Sequence, residues 1–225
     1  MTIDLHNFFA KAVVGHDKSR ARSVQTAVGP SSIGGCDRRV WHELKQTPIT
    51  NPDTDSLAAI MGTYIHAGIA EAMKREDPFN EKFLIEERIE VPDVIVGNVD
   101  LFMIEEGIVV DWKTTKMKSQ RYFPNKGQLY QVHVYGWLLE QNGYKVNYVS
   151  LVSIARDGEL GDVRTHIEPY DPAIAKEGLD WLQVVRDIVK NDEPAPTPKE
   201  KLFFCSRYCQ YYDATGVIGC PSTAR

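Results

Sequence analysis

This chain has no excess of positive charge, and this excludes one class of nucleic-acid-binding protein. It has 26 lysine and arginine residues against 31 aspartate and glutamate residues, a net charge of −5. A chain without excess positive charge does not coat nucleic acid through its overall field, so any nucleic-acid site must be local. No apolar run is long enough to cross a bilayer, and the N-terminus has no basic segment leading into an apolar one. We therefore expect a cytoplasmic protein with no membrane partner.

Cysteine is also scarce, with four residues in 225: Cys36, Cys205, Cys209 and Cys220. Without an export signal, disulfides are the weaker explanation, and a four-thiolate metal centre is the stronger one. Three of the four follow the proline-rich segment 193–198, so a shared metal would tie the N-terminal segment to the tail. Zn²⁺ and an iron–sulfur cluster both accept four thiolates, and the cysteine count does not choose between them.

Internal repeats are absent, and a length of 225 residues suits one catalytic core with small elaborations. Hydrophobic periodicity and cap signals predict helices at about 56–76, opened by Asp55 or Ser56, and at 126–140 and 172–190. Strands are predicted at 83–91, 94–104, 108–115, 146–154 and 163–167. The order helix, strands, helix, strands, helix favours an α/β core with a central mixed β-sheet.

Two adjacent predicted strands place acidic and basic side chains on one face. They are joined by a turn at 105–107. Depending on which two residues form the loop, Asp100 lies opposite Lys113 or opposite Asp111. Asp111 and Lys113 share a face because side chains alternate along a strand. Both registers therefore bring the three side chains together in a stretch otherwise rich in apolar residues.

The chemistry that suits this set is metal-dependent phosphodiester hydrolysis. Paired carboxylates supply oxygen ligands for Mg²⁺ or Mn²⁺, and the metal lowers the pKa of a bound water. A lysine beside them can orient that water or stabilise charge in the transition state. The alternative is a cross-strand ion pair on a solvated sheet face, which is common. The Asp-x-Lys pattern by itself does not distinguish a metal site from such an ion pair.

Two further features bear on this choice. Gln131 and Tyr135 are four residues apart on the predicted helix 126–140 and so share a face, where they could hold a DNA backbone. The buried side of that helix would consist of Val132, Leu138 and Leu139. His66 lies among apolar and small residues; it is either a core histidine or a ligand, and its nitrogen would favour Mn²⁺ over Mg²⁺.

A basic segment with aromatic residues lies between Asp111 and Glu140, where no acidic residue occurs. Its members are Lys113, Lys116, Lys118, Arg121, Tyr122, Phe123 and Lys126. Cations that take phosphates and aromatics that stack on bases are the combination found in single-strand binders. A solvated loop that happens to lack acids is the alternative.

The motifs taken together resemble a known family over residues 31–221. In chain order they are Ser31-Ser32-Ile33-Gly34-Gly35-Cys36 with Arg38-Arg39, His66, Gly97-Asn98-Val99-Asp100, Asp111-Trp112-Lys113, Gln131-Val132-His133-Val134-Tyr135, and Cys205, Cys209 and Cys220-Pro221. This set resembles the RecB-like PD-(D/E)xK nucleases that carry an iron–sulfur cluster, a group that includes the CRISPR-associated Cas-four family and its phage-encoded relatives. Here ten residues separate Cys209 from Cys220, whereas the family usually has its last three cysteines close together.

The resemblance implies a role for each of these residues. His66, Asp100 and Asp111 would ligate the metal with the Trp112 carbonyl, and Lys113 would be the catalytic lysine. Gln131 and Tyr135 match the Q-x-x-x-Y motif that contacts DNA. The four cysteines would hold a structural 4Fe-4S cluster, with Zn²⁺ as the alternative.

The resemblance also implies the architecture. One nuclease domain would span 1–225, with a restriction-endonuclease-like core at about 56–190. A cysteine-ligated cluster subdomain would be formed by the two ends of the chain, 31–45 together with 199–225.

We accordingly expect a Mg²⁺- or Mn²⁺-dependent DNA exonuclease acting on single-stranded or free DNA ends, because no base-reading module is visible. Its context would be recombination, repair or CRISPR-related DNA processing, with a protein partner there and a location in the host cytoplasm if it is phage-encoded. The alternatives are a non-catalytic DNA-binding adaptor with the same fold and a zinc-dependent binding module.

Overall fold

The computed structural model describes residues 4–19, 28–52 and 57–222. The helices in these ranges are α1 (Leu5–Ser19), α2 (Asp37–Leu44), α3 (Leu57–Glu76), α4 (Lys126–Gln141), α5 (Pro172–Lys190) and α6 (Leu202–Tyr208). The strands are β1 (Phe83–Val91), β2 (Ile95–Met103), β3 (Ile108–Thr115), β4 (Tyr148–Ala155) and β5 (Arg164–Pro169). Short 3₁₀ turns occur at Pro30–Ser32, Met117–Tyr122 and Leu160–Asp162. Among the described helices, none is long and apolar enough to cross a membrane.

The five strands form one sheet in the order β1-β2-β3-β4-β5. Strands β3 and β4 are parallel because α4 crosses over between them, and every other neighbouring pair is antiparallel. The predicted α/β core with a mixed sheet flanked by helices is confirmed, and it is consistent with a restriction-endonuclease-like fold. The predicted cap residues Asp55 and Ser56 lie outside the described residues.

Helices cover both faces of the sheet beside β3. Asp111 and Thr114 are three positions apart, so their side chains point to opposite faces. Asp111 is hydrogen-bonded to Gln131 of α4, and Thr114 faces Gly62 of α3. The carboxyl half of β3 is therefore enclosed between these two helices.

Helix α4 is buried on nearly all sides, whereas the sequence predicted a single buried side. It begins with a capping box in which Asn125 and Gln128 exchange side-chain to backbone hydrogen bonds. Val132 and Leu138 pack into the main core as expected, and Gln131 and Tyr135 on the other side are also buried. The second buried side arises because α4 contacts the sheet while α5 packs against it from outside.

The C-terminal segment packs against α2 and the residues that follow it. Lys199 donates to the Asp37 carboxylate at 2.8 Å, and the Asn51 amide donates to the carbonyl of Cys209 at 3.1 Å. The ring of His42 stacks on that of Tyr211, with centroids 5.3 Å apart. The segment that follows the prolines is thus fastened to the N-terminal part of the chain.

Asp77 organises the loop between α3 and β1. Its buried carboxylate accepts hydrogen bonds from the backbone N–H groups of Glu81, Lys82 and Phe83 at 3.1, 2.8 and 2.9 Å. Desolvation acts to raise the pKa of this carboxyl, but the three N–H donors outweigh it and lower the pKa below its ordinary value.

Asp77→Asn is expected to lower the midpoint of thermal unfolding at pH 7 by a few degrees, because a neutral amide accepts these bonds less well. Since the pKa is lowered in the folded state, the stabilisation is complete above the unfolded pKa, about 4, and is lost as pH falls through the folded-state pKa. The thermal midpoints of the parent and of Asp77→Asn, measured from pH 7 to pH 3, should therefore converge only in acid. A deficit unchanged across that range would contradict the argument, and the exposed Asp93→Asn is the control.

Candidate active site

The site begins where β2 and β3 separate. Their antiparallel ladder ends at Leu101 opposite Val110, which is the register that places Asp100 opposite Asp111. In place of a further ladder bond, Asp100 Oδ2 accepts a hydrogen bond from the backbone N–H of Trp112 at 2.8 Å. The two aspartates are only 3% and 2% exposed. Two buried carboxylates therefore lie at the fork between the strands.

Lys113 and Gln131 complete a hydrogen-bonded network around Asp111. The Lys113 ammonium lies 2.6 Å from Asp111 Oδ2 and donates to Gln131 Oε1 at 2.7 Å. Gln131 Nε2 in turn donates to Asp111 Oδ1 at 2.9 Å and to the Tyr135 hydroxyl at 3.4 Å. Gln131 and Tyr135 share one side of α4 as predicted from their spacing, and that side is turned inward; their contact with a DNA backbone stays a prediction. In this position Gln131 orients Lys113 and Asp111.

Gly97 allows Tyr135 to reach this network. A Cβ atom on Gly97 would lie 2.7 Å from Tyr135 Cε1 and 2.9 Å from Pro30 Cδ, closer than real Cβ contacts come. The Gly97-Asn98-Val99-Asp100 segment thus has two functions: its glycine makes room for the tyrosine ring, and its aspartate lies at the fork.

His66 and Glu86 join Asp100 in a compact group of potential metal ligands. Among the described residues, this is the one group of three or more histidine, cysteine and acidic side chains whose ligand atoms all lie within 4.8 Å of one another. His66 Nδ1 is 3.4 Å from Asp100 Oδ2. The structure therefore brings the predicted ligand His66 to the fork and adds a carboxylate.

Glu86 was missed by the sequence analysis. The β1–β2 ladder pairs Ile85 with Leu101 and Glu87 with Val99, and the same register places Glu86 opposite Asp100. Its φ of 51° is a left-handed conformation, rare in a strand and for a residue other than glycine. The only available signal was the tight turn between β1 and β2, which fixes this register.

The carboxylates grouped at the fork raise the pKa values of their neighbours, and this favours binding of a cation. Burial raises the pKa of Asp111; the Lys113 charge lowers it in part, and the Asp100 charge adds to the rise. Burial acts to lower the pKa of His66, but the hydrogen bond and charge of Asp100, followed by the charges of Asp111 and Glu86, outweigh it and raise the pKa.

Two buried atoms at the fork, His66 Nδ1 and Asp111 Oδ2, lie 3.4 Å from Asp100 Oδ2 and 2.6 Å from the Lys113 ammonium, respectively, but neither contact has good hydrogen-bond geometry. A divalent cation would satisfy both. Three carboxylates and one imidazole suit Mn²⁺ or Mg²⁺, with the nitrogen favouring Mn²⁺. The donor set therefore fits the metal that the motifs predict. The structure shows no role for the Trp112 carbonyl, which stays a prediction.

A cleft of about 730 Å³ opens beside this group, between α3 and the ends of β3 and β4. The charged and polar residues in its lining include His66, Glu86, Lys113, Thr114 and Arg156. An extended, solvent-accessible substrate would thus pass next to the carboxylates.

The basic segment lies outside the lining of this cleft, apart from Lys113. Arg121 stacks over the exposed ring of Tyr122, 4.8 Å from its centroid. Lys126 lies over the Tyr130 ring at 5.0 Å and 3.8 Å from the Glu177 carboxylate. Cation–aromatic pairs of this kind occur both in segments that bind single-stranded nucleic acid and on solvated surfaces, so they do not distinguish the two interpretations of the basic segment.

All four cysteines line a second cavity, of about 100 Å³, between α2 and α6. Cys205 and Cys220 are buried, and Cys36 and Cys209 are half-buried. Burial raises the pKa of the Cys205 and Cys209 thiols. Among the described residues, which include all four, no three cysteine sulfurs lie within 4.8 Å of one another. The structure thus brings all four cysteines to the lining of one cavity.

His42, which the sequence analysis did not single out, also lines the cysteine cavity. It is 2% exposed, and neither ring nitrogen has a hydrogen-bond partner within the described chain. Burial, and then the Arg38 charge, lower the pKa of His42 to about 4, so the ring is neutral at pH 7 and carries one N–H. That buried N–H points to an acceptor in the cavity.

Residues 36–214 match the profile of the PD-(D/E)XK nuclease superfamily. The comparison with curated proteins gives no match.

Solved structures share the fold. The crystal structure of SSO0001 aligns with a TM-score of 0.58 and 21% identity, covering 100% of each chain. The alkaline exonuclease LHK-Exo from Laribacter hongkongensis aligns with a TM-score of 0.52 and 12% identity, covering 74% of this chain and 89% of that one, and its complex with dAMP gives the same values. At these identities the likeness establishes the fold alone.

Proposed function

Because this chain belongs to the PD-(D/E)XK nuclease superfamily, whose members use divalent metals such as Mg²⁺ or Mn²⁺, we propose that it is a metal-dependent DNA exonuclease acting on single-stranded ends. One observation carries the proposal: the buried Asp100 and Asp111 lie at the strand fork with the half-buried Lys113, next to an open cleft. A structural ion pair between Asp111 and Lys113 needs no second buried aspartate, and no imidazole and further carboxylate grouped beside it.

The residues at the fork divide the work. His66, Glu86, Asp100 and Asp111 would hold the cation, together with the Trp112 carbonyl that the family resemblance suggests. When bound, the cation supplies a water of lowered pKa and offsets charge on the phosphate.

Lys113 is the protein's own cation at the reacting phosphate. Its ammonium is held by Asp111 and Gln131, so it is already oriented when charge develops on the phosphate oxygens. Gln131 serves as the positioning residue for Lys113, and Tyr135 closes the buried end of the network at 3.4 Å from the glutamine amide. Both residues thus act on the reaction through Lys113 and Asp111.

The substrate is proposed from the open cleft and from the relatives. LHK-Exo, an alkaline exonuclease crystallised with dAMP, shares the fold, which supports a nucleic-acid substrate. No base-reading module was recognised in the sequence, and this favours an enzyme that acts at ends over one that acts at a chosen sequence. Recombination, repair or CRISPR-related processing, with a protein partner, is the proposed setting.

We further propose that Cys36, Cys205, Cys209 and Cys220 hold a 4Fe-4S cluster that stabilises the junction of the two chain ends. Four thiolates on one zinc ion lie about 3.8 Å apart, given a Zn–S bond near 2.3 Å. The wider spacing and the cavity of about 100 Å³ favour a larger occupant. The one N–H of the neutral His42 ring, which has no hydrogen-bond partner within the described chain, suits a sulfur acceptor of an anionic cluster.

The first test of the proposed function is cleavage of end-labelled linear single-stranded DNA, linear double-stranded DNA and a closed circle, each with Mn²⁺, Mg²⁺ or EDTA. We expect metal-dependent loss of linear single strands, an untouched circle, and loss of activity in Lys113→Met by a factor of about 10² or more. Methionine keeps the length of lysine without its charge.

Two outcomes would contradict the proposal. Cleavage of the circle at rates equal to the linear strands would replace the exonuclease with an endonuclease. DNA binding in a gel shift with no cleavage under any metal would leave the non-catalytic adaptor as the function.

A further inference from the structure

Arg156 follows the end of β4 and lines the cleft beside the fork. It follows the last parallel pair of β3 and β4, Thr115 with Ala155, and its backbone N–H donates to the Thr115 carbonyl at 2.9 Å. Its side chain lines the same cleft as Lys113 and His66. The guanidinium is thus attached to the strand that carries the lysine of the Asp-x-Lys motif.

The charge of Arg156 is not matched by a carboxylate. In the ranges that the structure describes, no aspartate or glutamate oxygen forms an ion pair with it within 4.0 Å, whereas Lys113 is paired with Asp111. One nitrogen, Nη1, donates to the Thr114 hydroxyl at 3.1 Å. A guanidinium has five N–H donors, so most of them remain for a ligand. A half-buried guanidinium in this state suits an anion that offers two oxygens to its paired N–H donors, such as a phosphate.

Helix α3 and strand β3 approach closely at Thr114, the residue that orients Arg156. A Cβ atom on Gly62 of α3 would come within 2.9 Å of Thr114 Oγ1. The hydroxyl is therefore confined between the helix and the strand, and the arginine that bonds to it is held toward the cleft. An arginine free on the surface would lack this support.

We propose that Arg156, oriented by Thr114, binds a backbone phosphate of the DNA strand one or a few linkages from the bond that is cleaved. The inference rests on the proposed function in taking DNA as the ligand. Arginine binds phosphate with paired N–H donors, which fixes orientation as well as charge. The contact exists before and during the reaction, so its loss raises KM with little change in kcat.

Binding is measured on a 5′-fluorescein single-stranded oligonucleotide by anisotropy, in the Asp111→Asn background so that the DNA stays intact. Arg156→Gln should weaken binding by about 10- to 100-fold, the range for a lost charge-assisted hydrogen bond. The slope of log K against log salt should fall by about 0.7, the value for one phosphate on a single strand. Thr114→Val should give a smaller loss, and Arg156→Lys should keep the slope.

Single methylphosphonate linkages, which lack the phosphate charge, then locate the contact. We expect one linkage whose neutralisation weakens the parent protein but not Arg156→Gln, a result that a merely structural arginine would not give. Arg88→Gln, at a 58% exposed arginine outside the cleft lining, is the matched control for net charge and should retain the parent's dependence on that linkage.

The outcomes separate this inference from the proposed function. If the parent binds DNA and Arg156→Gln shows the same slope and the same linkage dependence, the phosphate site is wrong while the nuclease stands. If the parent binds no DNA, both are overturned.

Discussion

Asp111→Asn is expected to lower the rate of metal-dependent DNA cleavage by about 10³-fold, the upper end of the loss seen when one preorganised electrostatic group is removed. Asparagine is isosteric and its oxygen still accepts from Gln131, so the fold around it is kept. It removes the negative charge that faces Lys113 and the proposed cation. Single-turnover cleavage of labelled single-stranded DNA measures the loss.

Stability distinguishes this chemical effect from unfolding. Burial raises the pKa of Asp111, so its contribution to stability is full below the unfolded pKa and is lost as pH rises through the folded-state pKa. At pH 7 without metal, the ionised group therefore adds little, and Asp111→Asn should unfold within a few degrees of the parent. Glu105→Gln, in the exposed β2–β3 turn, removes the same charge and should leave the rate unchanged. Full activity in Asp111→Asn would exclude the proposed site.

Cys205→Ala should remove iron and the brown colour from anaerobically purified protein and lower its thermal midpoint by roughly 8–16 °C. A ligand present at 1,000 times its Kd stabilises the native state by about 4 kcal/mol. In a chain of this size each kcal/mol corresponds to roughly 2–4 °C. The effect is large because Cys205 is buried at the junction of the two chain ends. Iron and sulfide analysis, visible absorbance and calorimetry measure it.

The neighbouring Ser206→Ala, exposed on the same helix, is the control and should keep both colour and midpoint. Colourless parent protein with one zinc per chain would refute the cluster without touching the nuclease proposal. Equal iron content in parent and Cys205→Ala would show that Cys205 is not a ligand.

Most of the fold could be predicted from the sequence because its signals are local. Strands 83–91 and 108–115 and helix 172–190 match the observed bounds, and the other predicted elements differ from the observed ones by two residues or fewer within the described residues. Helices α1, α2 and α6 were not predicted. Hydrophobic alternation and helix caps depend on neighbours along the chain, so no tertiary information is needed to find them.

The site could be predicted only in part, because its missing features are set by pairing and burial. The Asp100 partner depended on which residues form a four-residue turn, and the sequence allowed two registers. Glu86 lies beside other glutamates in β1, and only the β1–β2 register distinguishes it. Spacing put Gln131 and Tyr135 on one face, but whether that face met solvent depended on how α4 is placed between the sheet and α5.

The contact between Gly97 and Tyr135 has an evolutionary consequence. The Gly-x-x-Asp and Gln-x-x-x-Tyr segments are 34 residues apart in the chain, yet a Cβ on the first would overlap the ring of the second. Their variation is therefore coupled: a lineage can enlarge position 97 only after the ring at 135 has shrunk or moved. We therefore expect selection to act on the two motifs as one unit.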